Sequence, residues 1–407
     1  MLQSSHFRTV SALALFAAWG SLTARADNVK TIFVIAMENH NWTQPAQVAN
    51  KVQQIYGNAN APFINGLVNG SAWATINGKL VNISEQTAFA TAYHNVLPGT
   101  TSHIHPSEPN YLWAEAGTNF GVLNDNDPFF IPNPQTVPPG PNNQNTQLHL
   151  SALLTAGGHT WKSYQEDIDL TGTLPSALTN VPLPESQWTV PLTSLSGIFA
   201  SGSPVNAFNG SLQFNYAAKH NPMVFFTDTN GGDNTTTSNP LSTHYAPLQQ
   251  LFTDLANDSV ADYNWITPDQ YNDMHTALTG GYKGVTGDSA NIKQGDDFLS
   301  QVIPAIMASD AYKNHGAVII WWDESESDGA AGDNADDFNH TIGEIIISPH
   351  AHANVDGKPY ASPVNFTHSS DLLTMQEIFR VGPPLGDAAN ATDLSDLFGP
   401  GAIPKKP

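Results

Sequence analysis

"TIFVIAMEN", from Thr31 to Asn39, is a continuous apolar run that stops abruptly at two polar residues. Such runs are typical of strands that are buried on both faces of a parallel sheet. Three further segments share the pattern: "PMVFFTD" (Pro222–Asp228), "GAVIIWWDE" (Gly316–Glu324) and "GEIIISP" (Gly343–Pro349). Candidate helices lie between and around these segments, at Ala61–Val68, Tyr245–Ala256, Gly295–Ser309 and Asp371–Arg380. Strands that alternate with helices predict a layered α/β fold around a mostly parallel sheet.

The first residues have the pattern of an export signal. Arg8 precedes an apolar stretch from Val10 to Trp19, and Ala24-Arg25-Ala26 forms a small-x-small cleavage site. We therefore expect a signal peptide at residues 1–26 and a secreted or periplasmic chain from residue 27 onward. No repeat or linker divides residues 27–407, so we expect one catalytic domain with long loop insertions at about 124–147 and 229–243. No later segment is long and apolar enough to predict a transmembrane span.

Charge and composition exclude several classes of function. The formal net charge is -22, with only 14 Lys and Arg residues. Nucleic acid is therefore not an expected partner, because its backbone phosphates require a basic surface. Anionic membranes are disfavoured for the same reason. The chain contains no cysteine, which excludes thiol catalysis, thiolate zinc sites and iron–sulfur clusters. Any phosphate ester substrate would need a bound cation to attract it.

Two of the predicted strands end in oxygen-bearing side chains. Glu38 and Asn39 close the first strand, and Asp323 and Glu324 close the third. Ligands of parallel α/β sheets bind outside the carboxyl ends of the strands, so these four side chains are expected to converge. An oxygen-rich set of this kind predicts one divalent metal ion of the Mg, Ca or Mn type. The alternative is that these residues cap the following loops.

"HPSEPNYLWAEAG", from His105 to Gly117, places a serine at the expected start of a helix. Ser107 is a favoured N-cap residue type, Pro109 would fall in the first turn, and Gly117 is a typical C-terminal stop. One interpretation is a capping serine. The other is a nucleophile, because free N–H groups and the positive end of the helix stabilise an alkoxide and a bound phosphoryl group.

Histidines are unusually frequent, at 15 against 14 Lys and Arg, and several lie in polar loops. They could protonate a leaving oxygen or donate hydrogen bonds to phosphoryl oxygens. Competing chemistries lack their motifs: there is no G-x-S-x-G elbow, Walker A sequence or dinucleotide fingerprint.

Five motifs together resemble those of the phosphoesterase family that contains bacterial and fungal acid phosphatases and bacterial phospholipases C. They occur in the family's order: "VIAMENHNW", "HPSEPNYLWAEAG", "TWKSYQED", "YNWITPDQYNDMH" and "IIWWDESESDG". The resemblance implies a three-layer α/β sandwich like that of alkaline phosphatase. It also implies site roles, which fall into three groups. The metal ligands would be Glu38, Asn39, Ser107, Asp323 and Glu324; the catalytic residues Ser107, His105, His275 and His340; and the substrate-binding residues His244 and Asn110.

The resulting hypothesis is an exported, metal-dependent acid phosphatase that hydrolyses small phosphomonoesters through a phosphoserine at Ser107. One alternative is a phosphodiesterase of the phospholipase C type that acts on a lipid head group, with residues 124–147 forming an apolar lip. A second alternative is a secreted protein without catalytic activity that binds a glycan or an anion. The sequence does not predict an oligomeric state.

Overall fold

The computed structural model describes residues 28–404, except residues 47, 49–50, 96–103, 129–141, 175–176, 327–339 and 355. The predicted signal peptide lies outside the described residues, as does much of the predicted insertion at 124–147. None of the described helices is both long and apolar enough to cross a membrane.

The strands of the described residues are numbered in chain order. They are β1 (Thr31–Met37), β2 (Asn41–Thr43), β3 (Trp73–Ile76), β4 (Lys79–Asn82), β5 (Thr87–His94), β6 (Trp161–Gln165), β7 (Leu195–Ile198), β8 (Gln213–Tyr216), β9 (Tyr245–Pro247), β10 (Tyr263–Thr267), β11 (Gly316–Trp322), β12 (Thr341–Ile342), β13 (Glu344–Ile347) and β14 (Tyr360–Thr367). The α-helices are α1 (Pro62–Asn69), α2 (Ser107–Ala116), α3 (Leu150–Ala156), α4 (Thr227–Asn230), α5 (Leu248–Ala256), α6 (Asp288–Ala308), α7 (Asp310–Lys313) and α8 (His368–Phe379).

Eight strands form the central sheet in the order β14-β5-β13-β11-β1-β10-β6-β9. Every neighbouring pair is parallel except the two pairs that involve β13, which runs in the opposite direction. The helices fall into two groups, in which α2 packs on α3 and α8, and α6 packs on α1, α5 and α7. This arrangement confirms the predicted α/β fold with its mostly parallel sheet.

β1 and β11 lie side by side in the middle of this sheet, and their burial explains their apolar sequences. The residues of β11 are buried throughout, as are those of β1 after Thr31. A strand with helices on both faces has no solvent-facing side, so it needs apolar residues at every position rather than at alternate ones. The same explanation holds for the isoleucines of β13, Ile345–Ile347, which are all buried.

The prediction of a strand at Pro222–Asp228 is wrong. Pro222–Phe225 forms a 3-10 helix, and the short helix α4 begins after one extended residue, Phe226. Pro222 lacks an N–H donor and has a fixed φ, which suits the first turn of a helix better than a central strand. Short buried runs are apolar in either conformation, so the pattern could not distinguish them.

The four predicted helices exist, with shifted boundaries. The largest shifts are at α6, which begins at Asp288 rather than Gly295, and at Tyr245, which lies in β9 ahead of α5. The helix predicted after His105 is α2. It begins at Ser107 itself and ends before Gly117, whose φ of 65° is the left-handed conformation expected of a C-terminal glycine.

Candidate active site

The carboxyl ends of β1 and β11 bring two acidic residues together. Met37 is paired with Trp322 in the parallel register, so Glu38 and Asp323 leave the sheet side by side. Both side chains are completely buried. The turn after β1 is held by the N–H of Asn39, which donates to Asp323 Oδ1 at 3.1 Å. Asn39 has a φ of 46°, a left-handed conformation that asparagine tolerates better than most residues.

Helix α2 delivers Ser107 to these carboxylates. Its hydroxyl oxygen lies 3.0 Å from Glu38 Oε2, 3.1 Å from Glu324 Oε1 and 3.5 Å from Asn39 Oδ1. The structure thus brings together all five predicted metal ligands, from two strand ends and one helix. Ser107 is not the N-cap that its residue type suggested, because Pro106 occupies that position and the serine points toward the carboxylates instead.

Two contacts fix α2 against the rest of the molecule. The hydroxyl of Tyr111 donates a hydrogen bond to Glu38 Oε1. Trp113 Nε1 donates to Ser369 Oγ on α8 at 2.8 Å. Ser107 therefore stands on a helix whose position is set from both sides.

His105 and Asn110 both contact Glu324, at different distances. His105 Nδ1 lies 2.6 Å from Glu324 Oε2, and its side chain is 28% exposed, so it stands at the mouth of the site. Asn110 Nδ2 lies 3.4 Å from the same carboxylate and donates to the carbonyl of Ile104 at 3.0 Å. Asn110 is buried, and its predicted contact with substrate stays a prediction.

The sequence analysis missed His220 and Asp273. The imidazole of His220 lies 3.3 Å from Glu38 Oε1 on one side and 3.3 Å from Asp273 Oδ2 on the other. Its ring stacks on that of Tyr111, with centroids 5.1 Å apart. His220 lies two positions before Pro222, the start of the segment that was wrongly predicted as a strand. Asp273 lies in the "YNWITPDQYNDMH" motif, in which only His275 had been selected.

His275 lies at the edge of this cluster. Its ring centroid is 5.8 Å from that of His220. The backbone N–H of His275 donates to Asp273 Oδ1 at 2.7 Å. Burial and the nearby charge of Lys219 together lower the pKa of His275 to about 4. Its imidazole is therefore neutral above that pH, which suits a hydrogen-bond partner better than a proton donor.

The other two predicted histidines differ in position. His340 is buried just ahead of β12, where its carbonyl accepts a hydrogen bond from His94 Nδ1 at 3.3 Å, and its catalytic role stays a prediction. His244 stacks on Trp161, with centroids 4.1 Å apart, and Nδ1 donates to the carbonyl of that residue. Trp161 begins β6, so this contact lies at the amino edge of the sheet, away from Glu38. The structure does not bring His244 to the site.

Several carboxyl groups of the site are buried close to one another. Burial raises the pKa of Glu38 well above its usual value, and the charges of Asp323 and Asp273 raise it further. Burial and the neighbouring Glu324 raise the pKa of Asp323 to about 8. Burying several carboxylates without a counter-charge is costly, so such a site is stabilised by protons or by a cation.

The residues of the site fit a divalent cation. Asp323 Oδ2 is buried and has no hydrogen-bond partner among the described residues. Around it lie carboxylate, amide and hydroxyl oxygens, which are the ligands that hard cations prefer. Glu38 also belongs to a second buried group, with His220 and Asp273, whose ligand atoms lie within 4.8 Å of one another. A mixed nitrogen and oxygen set of this type suits a transition metal.

Comparison with known proteins agrees with this chemistry. The model of the phosphoesterase family matches residues 82–382, well over half of the chain. A phosphatidylinositol-3-phosphatase of Mycobacterium tuberculosis is 25% identical over 346 residues, covering 85% of this chain and 78% of the relative. A probable acid phosphatase of Kluyveromyces lactis is 24% identical over 302 residues, covering 72% of this chain and 55% of the relative.

Solved structures with a similar fold are much more distant in sequence. A sulfatase from Pseudoalteromonas has a TM-score of 0.46 at 10% identity, covering 93% of this chain and 74% of that one. A protein of the alkaline phosphatase superfamily from Vibrio parahaemolyticus has a TM-score of 0.43 at 11% identity, covering 91% and 72%. Likenesses at this level carry no argument about function.

Proposed function

The chain belongs to the phosphoesterase family, and on that premise we propose that it is an exported acid phosphatase that hydrolyses phosphomonoesters with Ser107 as nucleophile. Hydrolysis of a phosphate ester follows from the family. The finer assignment is carried by one observation: the Ser107 hydroxyl lies within 3.5 Å of Glu38, Asn39 and Glu324, three side chains suited to a cation.

In the proposed first step, Ser107 Oγ attacks phosphorus as its proton passes to a carboxylate. Glu38 Oε2 and Glu324 Oε1 are both within hydrogen-bond reach of that proton. The new bond joins Oγ to phosphorus, and the bond from phosphorus to the leaving alcohol breaks.

The leaving oxygen takes its proton from His105. This imidazole is partly exposed and lies against Glu324, whose negative charge favours the protonated ring. A water then gives a proton to His105 as its oxygen bonds to the phosphorus of the phosphoserine. The bond between phosphorus and Oγ breaks, and Ser107 takes back its proton from the carboxylate. Each turnover consumes one water and releases one alcohol and one phosphate.

A divalent cation would be held by Glu38, Asn39, Ser107, Asp323 and Glu324, as the sequence predicted. When bound, it supplies positive charge that polarises the phosphoryl group and lowers the pKa of the serine hydroxyl. The chain's own residues orient the serine, exclude water from the base of the site and carry the protons.

Two further parts of the proposal have separate support. An acidic working range is supported by a relative named as a probable acid phosphatase and by a leaving-group acid based on imidazole, which acts only while protonated. Export is supported by the pattern around Arg8 and Ala24-Arg25-Ala26. Sequencing the amino terminus of the chain recovered outside the cytoplasm would test export, and an intact Met1 there would contradict it.

The relative from Mycobacterium tuberculosis is named for a phosphate carried on an inositol lipid. A phosphomonoester on a lipid head group is therefore a substrate to compare with small phosphomonoesters. The phosphodiesterase alternative predicts instead that phosphodiesters, in which phosphate is esterified to two alcohols, are hydrolysed faster than phosphomonoesters.

The deciding experiment is phosphate release from p-nitrophenyl phosphate by the purified chain between about pH 4 and 9, with and without chelator. Turnover that is greatest below neutral pH and is lost with chelator would support the proposal. Turnover that is greatest well above neutrality, or unaffected by chelator, would contradict the acid or the metal-dependent part. No turnover of this substrate, with hydrolysis of p-nitrophenyl phosphorylcholine instead, would favour the phosphodiesterase.

A further inference from the structure

Lys219 is a partly buried cation beside the candidate active site. It belongs to the 3-10 helix Ala218–His220 and directly precedes His220. Its side chain is 15% exposed, and Nζ lies 2.9 Å from Asp125 Oδ2. A lysine that is paired with a carboxylate keeps its positive charge at neutral pH, because the nearby negative charge favours the protonated form.

Lys219 lies next to the acidic part of the site. It is joined to His220, whose ring lies 3.3 Å from Glu38 Oε1 and 3.3 Å from Asp273 Oδ2. In a chain with only 14 Lys and Arg residues, this position is notable because a positive charge near the serine would attract an arriving phosphate.

Asp125 connects Lys219 to the helix of the nucleophile. Its Oδ1 accepts the N–H of Glu108 at 3.1 Å, and Glu108 is the residue that follows Ser107. The same carboxylate therefore holds the first turn of α2 with one oxygen and Lys219 with the other. The ion pair thus stands at the end of the helix that a phosphoryl group approaches.

We propose that Lys219 is a specificity-determining residue that exchanges Asp125 for a non-bridging oxygen of the substrate. This inference rests on the proposed function, because it concerns the phosphoryl group attacked by Ser107. A phosphomonoester dianion carries one more negative charge than a phosphodiester, and that charge lies on an oxygen that the diester uses for its second alcohol. The ammonium group of a lysine at this position favours the monoester because it attracts that additional charge. A single charged oxygen is enough for this contact, whereas the planar guanidinium of an arginine is suited to two oxygens at once.

The test compares Lys219→Met with the unchanged chain on two substrates that share a leaving group, p-nitrophenyl phosphate and bis(p-nitrophenyl) phosphate. The matched control is Lys162→Met. Lys162 lies on β6, is 16% exposed and pairs with Asp254 at 2.8 Å. Hydrolysis of the two substrates is measured above about pH 6, where the monoester is a dianion. Binding of inorganic phosphate is measured separately by calorimetry.

We expect Lys219→Met to lower kcat/KM for the monoester by about 30-fold or more and for the diester by no more than about 3-fold. The monoester loses more because its phosphoryl group carries the larger negative charge and so interacts more strongly with the ammonium group. Affinity for phosphate should fall by about 10-fold or more on the same grounds. Lys162→Met should leave kcat/KM for the monoester and for the diester unchanged. Equal losses on the two substrates, or unchanged binding of phosphate, would overturn the assignment.

A second variant guards against misfolding of the first. Asp125→Asn keeps an oxygen acceptor for the N–H of Glu108 but removes the charge that holds Lys219, so phosphate should bind more tightly to it. Weaker or unchanged binding would contradict the exchange. If the unchanged chain binds phosphate but hydrolyses neither ester, the proposed function fails, and the calorimetric comparison of Lys219→Met still decides whether this lysine binds the anion.

Discussion

The hydroxyl oxygen of Ser107 lies 3.0 Å from Glu38 Oε2, although 69 positions separate the two residues in the chain. One residue comes from the end of a central strand and the other from the start of a helix. A serine that merely began its helix would have no reason to face a buried carboxylate. The contact instead places the hydroxyl that we propose as the nucleophile beside a carboxylate that could accept its proton.

Ser107→Ala should therefore abolish phosphate release while leaving the fold intact. We expect kcat/KM to fall by at least about 1000-fold, because removal of a nucleophile eliminates the covalent route. Ser348→Ala is a matched control, since Ser348 is also buried but donates to the carbonyl of Gly316 at the amino end of β11. A loss of less than about 10-fold in Ser107→Ala would mean that the serine is not the nucleophile.

Divalent cations should raise the melting temperature of the unchanged chain, because an ion that binds only the folded state stabilises it. At 100 times the dissociation constant the gain is about 2.7 kcal/mol. Asp323→Asn should remove most of this gain, since it takes a charged oxygen from the site.

Asp254→Asn provides the control for loss of a buried carboxylate. Asp254 is 5% exposed and accepts hydrogen bonds from Lys162 and Tyr164, distant in the fold from the strand ends that carry Glu38 and Asp323. This variant should retain the full shift with cation, measured by differential scanning calorimetry. An equal shift in Asp323→Asn would exclude this aspartate as a ligand.

The carboxyl ends of β1 and β11 could be predicted from the sequence because a fully buried strand leaves an unbroken apolar run. Parallel pairing then brings Glu38 and Asp323 to one edge, whatever the order of the other strands. β5 and β14 had no such signal, because exposed or half-buried residues interrupt their burial patterns.

His220 and Lys219 were missed for a different physical reason. Only Asn221 separates them from Pro222–Phe225, whose apolar residues are buried by packing rather than by strand pairing. The strand interpretation placed the segment in the sheet and drew no attention to the polar pair before it. A proline at the start of the run, with a lysine and a histidine just ahead, was the available signal. His244 was misplaced because chain order alone does not tell which edge of a sheet a loop reaches.

His105→Gln should slow the enzyme in a manner that depends on the leaving group. An alcohol with a high pKa needs a proton as its bond breaks, whereas p-nitrophenolate leaves without one. We expect loss of kcat/KM on a simple alkyl phosphate to exceed the loss on p-nitrophenyl phosphate by about 100-fold.

His244→Gln is the matched control for this comparison, since its imidazole stacks on Trp161 at the other edge of the sheet. It should affect the two substrates alike and only slightly. If His105→Gln also lost the same factor on both substrates, the histidine would be orienting Glu324 rather than giving up a proton.

Stability should decrease as the pH rises, because several buried carboxyl groups are protonated in the folded chain. Burial raises the pKa of Asp167 from 3.8 to about 8, and the adjacent Glu166 contributes to the rise. Between these two values the folded state holds a proton that the unfolded state has released. The contribution of Asp167 is therefore complete below about pH 4 and is lost as the pH rises through about 8.

Asp167→Asn should flatten this dependence. The amide keeps an oxygen for the N–H of Asn215, which Asp167 Oδ2 accepts at 3.0 Å, and it cannot ionise. Asparagine also tolerates the φ of 64° at this position. We expect the loss of unfolding free energy between pH 5 and 8 to be smaller by about 2 kcal/mol or more, measured by denaturant titration. Asp310→Asn, at an aspartate that is 79% exposed, should follow the unchanged chain. Parallel curves for all three proteins would show that Asp167 is ionised in the folded state across this range.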